Sequence, residues 1–434
     1  MKKLVDKKVA VIGAGFVGLA HSLILASKYA EVVLFDRKEP LIKDLKGGKV
    51  SLLTEDESLI ELAETGIKNG TLRPSSEISD LDGAQIIFIA IGLDFYETNN
   101  GYDNLQTLCT SLVPNISSNT LLVFESTLPP GTIDKFVIPK FIEKGGRFNN
   151  GNLNLVYAYE RVMPGPEYVS SLKTLPKVYG ALNERSRKIY EQHLEISLPG
   201  LEHRCLPNIV SAELAKVIEN SYRMANIALV SEFADFASKI GADLVGILES
   251  IRVRPTHSNI RFAGQAPGGY CLTKDPQFLF ESMRVQGFHA DLNMIAAAIE
   301  KSKTMNHVII DFVCTHLDKS WATSFLGVSY RSGVGDLRES SAMELALTLL
   351  RRGYELDVVD PFVNVDEVAN SIELVHADVA RNYQAVLAVK HIAFNCDYLS
   401  RFKVLLDINS CLSVKERKEL SENGTEVRQY GDFT

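Results

Sequence analysis

A chain of 434 residues, 46% of them hydrophobic, exceeds one ordinary domain and can fill two or three cores. Its 46 Lys and Arg against 54 Asp and Glu give a net charge of -8, and no basic block is present to track a phosphate backbone, so nucleic acid is not an expected partner. The six cysteines (Cys109, Cys205, Cys271, Cys314, Cys396 and Cys411) show no CxxC and no short spacing to histidine, which leaves no metal site expected and fits free thiols in a reducing compartment.

At the N-terminus, Asp6, Lys7 and Lys8 interrupt what would otherwise pass for a signal peptide. With no uninterrupted apolar run of about 18 residues, no membrane span is expected and the location is read as cytoplasmic. From residue 8 to about 160, "KVAVIGAG", "EVVLFD", "QIIFIAIG", "TLLVFEST" and "LNLVYAYE" read as buried strands alternating with helices, the rhythm of a parallel doubly wound sheet. From about 200 to 303 the pattern is helical. Leu214, Val217, Ile218, Tyr222, Ala225, Leu229, Phe233, Phe236 and Ile240 recur at spacings of three and four, which predicts one long amphipathic helix. After residue 320, "ATSFLGVSY", "ELDVVDP", "AVLAVKHIAFNC" and "KVLLDIN" restore the strand rhythm, with a helix in "SSAMELALTLLRRG". The expected fold class is α/β: two Rossmann-like doubly wound domains, residues 1–198 and 304–434, joined by a central helical domain over 199–303.

"VAVIGAGFVG" places Gly13, Gly15 and Gly18 in G-x-G-x-x-G spacing directly after a strand. Such a turn lets a pyrophosphate approach the backbone at a helix N-terminus. Asp36 ends the next strand, where an acid accepts hydrogen bonds from a ribose with a free 2'-hydroxyl, so NAD is favoured over NADP; the adjacent Arg37 is a guanidinium that would tolerate a 2'-phosphate. Glu125, Ser126 and Thr127 stand at a second strand end and Glu160 and Arg161 at a third, the edge where open α/β sheets bind ligands.

"GQAPGGYCLTKD" sets a thiol, Cys271, after Gly268 and Gly269 at the start of the helical pattern "CLTKDPQFLFESMRVQG". A helix N-terminus and a nearby lysine favour thiolate, the nucleophilic form. Asp275, four residues on, would share a helix face with Cys271, and Lys216 and Asn220 are likewise four apart on the long helix, off its apolar stripe.

Taken in order, "GAGFVG", "ESTLPPGT", "ERVMPG", "AELAKVIENSYRMANIALVSEFADFA", "GGYCLTKDP", "FLGVSYRSGVGDLRES" and "VVDPF" resemble the UDP-glucose/GDP-mannose dehydrogenases, which oxidise the C-6 hydroxyl of a nucleotide sugar to a carboxylate. The resemblance implies two NAD reduced per sugar, with Cys271 holding the intermediate aldehyde as a thiohemiacetal and then a thioester. It further implies oxyanion stabilisation by Lys216 and Asn220, water handling by Asp275 and Glu160, and Thr127 beside the nicotinamide. Phe16, Val17, Gly92 and Ser126 join the glycines, Asp36 and Arg37 as implied cofactor contacts. Implied substrate contacts are Glu160, Arg161, Lys216, Asn220, Gly268, Tyr330, Arg331 and Arg338, with Arg331 standing where the family usually has lysine.

"ERVMPG" resembles the branch acting on UDP-N-acetylhexosamines, which implies UDP-N-acetylmannosamine or UDP-N-acetylglucosamine as substrate and a place in making cell-surface polysaccharide precursors. Arg161 would then contact the acetamido group or the diphosphate. In "RPTHSNIRFAGQAPGG", His257 stands where an N-acetylhexosamine enzyme has arginine, and Arg252 or Arg254 would supply that charge across a subunit boundary, since the family's central helices form its dimer interface. A homodimer or higher homo-oligomer is therefore expected. "GLDFYE" replaces the family's Pro-Thr-Pro, and "LLDINS" lacks an arginine often found after its aspartate. UDP-glucose or another nucleotide sugar remains an alternative substrate. A silent nucleotide-sugar-binding protein would need no nucleophile, and a two-electron Rossmann dehydrogenase would leave the thiol loop unexplained.

Overall fold

The computed structural model describes residues 4–48, 56–95, 100–148, 151–166, 168–363, 374–375 and 383–434. Tyr96 and Glu97 of the "GLDFYE" segment lie outside the described residues. Two compact units are present, one of Met1–Glu219 with Gln277–Ala290, the other of Asn220–Pro276 with Asp291–Thr434.

The first unit is built on the strands β1 (Val5–Ile12), β2 (Tyr29–Phe35), β3 (Leu72–Ser75), β4 (Ile86–Ile89), β5 (Leu121–Phe124), β6 (Asn154–Ala158), β7 (Lys177–Ala181) and β8 (His203–Leu206). Their order in the sheet is β3-β2-β1-β4-β5-β6-β7-β8, and all neighbours are parallel except β6 and β7. The second unit holds β9 (Thr323–Leu326), β10 (Leu356–Val359), β11 (Gln384–Leu387), β12 (Val404–Asp407) and β13 (Glu426–Gln429), an all-parallel sheet in the order β10-β9-β11-β12-β13. In both sheets the central strands are buried on both faces, as β4, β5, β6, β9 and β11 illustrate, which is why they read as unbroken apolar runs rather than alternating ones.

The helices that bear on the site are α1 (Phe16–Ala26), α2 (Glu184–Ser197), α3 (Ile209–Ile240), α4 (Leu244–Arg252), α5 (Tyr270–Lys274), α6 (Gln277–Gln286), α7 (Asn293–His316) and α8 (Ser341–Arg351). α3 is the long helix expected from the periodicity, and it buries Val217 of the expected stripe together with Ile209, Met224 and Val230, yet most of that stripe faces outward. Tyr222, Leu229, Phe233, Phe236 and Ile240 are all exposed, Phe236 by 66%, whereas Ala212, Glu213, Asn220, Ser221, Ala228, Ser231, Ala234 and Ala237 are buried. The small residues among them let neighbouring segments approach closely, and they add little to a count of large apolar side chains. The helix read from Cys271 onward is also two helices, α5 and α6, because Pro276 has no N–H to donate and its ring clashes with the preceding turn.

No helix among the described residues is long and apolar enough to cross a membrane.

Candidate active site

In the first unit, β1 feeds α1 through the glycine turn. Ala14 N–H donates to Asp36 Oδ2 at 2.9 Å and Lys38 N–H to Oδ1 at 2.9 Å, so the strand-end acid braces the turn. A Cβ on Gly18 would lie 1.9 Å from the Gly13 carbonyl oxygen, while a Cβ on Gly15 would meet no described atom within 4 Å. That exposed space at the N-terminus of an eleven-residue helix suits a pyrophosphate, and the residues present fit a dinucleotide. Phe16 is joined to Tyr168, whose hydroxyl donates to the Phe16 carbonyl. Val17 is half-buried in the first turn of α1, and Arg37 and Gly92 are exposed.

The end of β5 is tied to the segment after β4 through Ser126, whose Oγ donates to the Ile91 carbonyl (2.8 Å) and accepts from Ile91 N–H (3.0 Å). Thr127 follows, half-buried. The turn beyond it is held by a carboxylate from α3. Glu213, fully buried, accepts from Gly131 N–H at 2.6 Å and Ile133 N–H at 3.0 Å, and burial pushes its carboxyl up to about 8. One turn along α3 from Glu213, Lys216 donates from Nζ to the Glu160 backbone carbonyl at 3.0 Å. Arg161 is engaged within the same unit, from Nε to Glu219 (3.0 Å), from one terminal nitrogen to the Pro176 carbonyl (3.1 Å) and from the other to the Tyr159 hydroxyl (2.8 Å).

The Glu160 side chain forms a buried ion pair with Lys177 at the start of β7. Glu125 and His21 lie beside it, with His21 Nδ1 3.0 Å from Glu125 Oε1, and one ligating atom from each of His21, Glu125 and Glu160 falls within 4.8 Å of the others. His21, Lys177 and Glu213 were not singled out in the sequence. The available signals were a histidine inside the apolar run "GLAHSLILA" and a lysine heading the strand "KVYGA", charges with no exposed face to occupy.

The second unit gathers the thiol and its neighbours. Gly269, at φ 85°, turns the chain into α5 in a conformation a side chain resists, and its N–H donates to the Glu339 carbonyl at 3.0 Å. A Cβ on Gly268 would sit 3.1 Å from the same carbonyl oxygen, and one on Gly269 would sit 2.6 Å from the Tyr330 ring. Cys271 is exposed in the first turn of α5. Asp275 N–H donates to the Cys271 carbonyl (3.0 Å), which places the two residues one turn apart, as their spacing predicts. Asp275 is fully buried; Asn220 Nδ2 donates to it at 2.6 Å and Lys274 Nζ at 2.7 Å.

Tyr330 and Arg331 lie on the loop after β9. Arg338 spans Asp336 with Nε at 3.0 Å and a terminal nitrogen at 2.6 Å, and Ser340 caps α8 by accepting from Met343 N–H. Arg252 lies over the Phe262 ring at 4.6 Å, while Arg254 and His257 are exposed in the segment after α4.

A strand-end acid bracing a glycine turn that leaves room for pyrophosphate is the equipment of an NAD-dependent dehydrogenase. Residues 7–195, 210–304 and 324–414 match in turn the NAD binding, central and UDP binding domains of the UDP-glucose/GDP-mannose dehydrogenase family, and the chain belongs to that family. It is therefore an NAD-dependent nucleotide-sugar dehydrogenase with a UDP-sugar substrate. Among its relatives, the UDP-N-acetyl-D-mannosamine dehydrogenase of Methanocaldococcus jannaschii is 26% identical, covering 99% of this chain and 98% of the relative. The NDP-N-acetyl-D-galactosaminuronic acid dehydrogenase of Ralstonia nicotianae is 25% identical over 94% of this chain and 97% of its own. The fold is shared with the UDP-N-acetyl-mannosamine dehydrogenase Cap5O of Staphylococcus aureus, with a TM-score of 0.79 at 22% identity and 98% of each chain covered.

Proposed function

We propose that this enzyme oxidises the C-6 hydroxyl of a UDP-N-acetylhexosamine, UDP-N-acetylmannosamine first, to the carboxylate in two successive steps that consume two NAD and one water. The observation that carries the reading is the exposed Cys271 thiol on a glycine-turned helix, one turn from a buried Asp275 held by Asn220. The names of the relatives support the choice of sugar. We assign NAD binding to residues 1–198, the central catalytic and dimerising role to 199–303, and UDP-sugar binding to 304–434, with the product serving as a cell-surface polysaccharide precursor.

NAD, held at Gly13, Gly15, Gly18 and Asp36, supplies the hydride acceptor for both oxidations. Cys271 adds as thiolate to the C-6 aldehyde, forming a C–S bond and an oxyanion that Lys216 and Asn220 stabilise. Loss of hydride from that adduct leaves a thioester. Asp275 and Glu160 orient a water and take its proton as its oxygen attacks the carbonyl; the C–S bond breaks, the thiolate returns and the acid leaves. Thr127 sits beside the reacting carbon, and Tyr330, Arg331 and Arg338 serve the diphosphate. The test is the NADH released per sugar consumed with UDP-N-acetylmannosamine, UDP-N-acetylglucosamine and UDP-glucose supplied separately. About two NADH per N-acetylhexosamine are expected; two per UDP-glucose and none with the others would reassign the substrate.

The exposed face of α3 supports a homodimer. Leu229, Phe233, Phe236 and Ile240, with Ile247 and Ile251 of α4, expose more large apolar surface than scattered surface hydrophobics do. The expected mass in solution is at least twice 48.0 kDa, and Phe236→Asp with Phe233→Asp should reduce it to that of one chain. A single-chain mass for the unaltered protein would refute the assignment.

A further inference from the structure

Of the His21, Glu125, Glu160 and Lys177 cluster only Glu160 has a role in the proposed reaction, yet four ionisable side chains drawn from α1, the end of β5, the end of β6 and β7 meet with almost no exposure. Lys177 neutralises one carboxylate through its ion pair with Glu160. The second carboxylate, on Glu125, has no cation of its own. His21 Nδ1 makes a hydrogen bond to Oε2 at 3.1 Å, and Oε1 is buried without a hydrogen-bond partner. Two carboxylates held this close in a dry interior cannot both be ionised at the cost of one ammonium.

Further titratable groups face it from α2. Tyr190, also buried, lies within electrostatic reach of both carboxylates, and His193 bonds to the Tyr29 hydroxyl through Nδ1 (2.9 Å) and lies 5.0 Å from the Phe88 ring, which in turn packs 4.5 Å from His21. Neither supplies a cation, because burial holds His193 well below the usual histidine range and His21 down to about 4.

We propose that Glu125 and Glu160 share one proton, and that Glu125 is a positioning residue which sets the pH at which Glu160 can accept a proton from water. The inference rests on the assignment of Glu160 above. Burial pushes Glu125 up to about 7 and raises Glu160, with Lys177 opposing the rise and the Glu125 charge adding to it. Glu160 must be ionised to act, so turnover rises with pH through the titration of the pair, whose apparent values belong to both groups. Removing the like charge therefore moves the acid limb downward, and removing the ammonium moves it upward.

The experiment is the kcat–pH profile of acid formation by the full-length enzyme. Glu125→Gln should displace the acid limb to lower pH by about one unit, with KM for NAD changed less than about twofold. Lys177→Gln should displace it the other way. Glu125→Asp, which draws the acid back by one methylene, should move it in the same direction as Glu125→Gln but by less, and keeps the test available if the amide variant does not fold. An acid limb that stays in place while kcat falls at every pH would show a purely structural cluster and overturn the inference. Glu160→Gln separates the two layers of argument. If it retains full acid formation, the role of Glu160 fails and this inference with it; if it is inactive while the Glu125 variants leave the limb unmoved, only the shared proton is refuted.

Discussion

Cys271→Ala is expected to lose uronic acid formation by about a thousandfold or more, the scale on which removing a covalent nucleophile acts. NAD binding should survive, because the thiol lies in the second unit and the glycine turn in the first. Titration of NAD against protein fluorescence, together with assay of acid from the UDP-sugar, separates the two effects. Two NADH per sugar at the unaltered rate from the alanine variant would rule out a thioester.

Gly18→Ala and Gly15→Ala, three residues apart, should fail in different ways. At Gly18 the added methyl would collide with backbone, the Gly13 carbonyl oxygen at 1.9 Å, and no side-chain rotation can relieve it. Helix α1 must then move off β1, at a cost of about 3 kcal/mol in denaturant unfolding. Gly15 has a backbone conformation alanine accepts (φ -78°, ψ -169°) and open space where its methyl would go, so stability should change by less than about 1 kcal/mol. Its NAD affinity should nevertheless fall about tenfold or more, since the methyl occupies the approach of the pyrophosphate. Unchanged NAD affinity in Gly15→Ala would place the pyrophosphate elsewhere.

The buried parallel strands were legible because most of their length is covered, so β1, β2, β4, β5, β6, β9, β11 and β12 announce themselves as apolar runs, and β10, although at an edge with Leu356 and Asp357 half-buried, keeps the apolar pair Val358 and Val359 buried. β3 ("LRPS"), β8 ("HRCL") and β13 ("EVRQ") did not, since edge strands keep water on part of their surface and carry polar residues there. β7 heads its run with Lys177, whose counter-charge Glu160 arrives from another strand. The length of α3 could be read from its period, but not which of its faces is buried, because alanines and serines interspersed with Val217, Met224 and Val230 carry less hydrophobic signal than the exposed aromatic and leucine stripe. The one-turn relation of Cys271 to Asp275 is local and followed from spacing. The grouping of His21, Glu125, Glu160 and Lys177 could not, since it depends on how α1 and three strand ends are brought together in space.

The hydrogen bond from Gly269 N–H to the Glu339 carbonyl, with the close approach of Gly268 to the same oxygen, fastens the thiol-bearing turn to the loop that leads into α8. Reprogramming of nucleotide preference is constrained by this. A C-terminal sheet grafted from a relative would bring its own version of the Glu339 bend, a non-glycine residue at φ 52°, and with it a new seat for the nucleophile. Chimeras that exchange the segment from Gly264 to Cys271 together with that sheet should therefore retain acid formation where exchanges of the sheet alone do not.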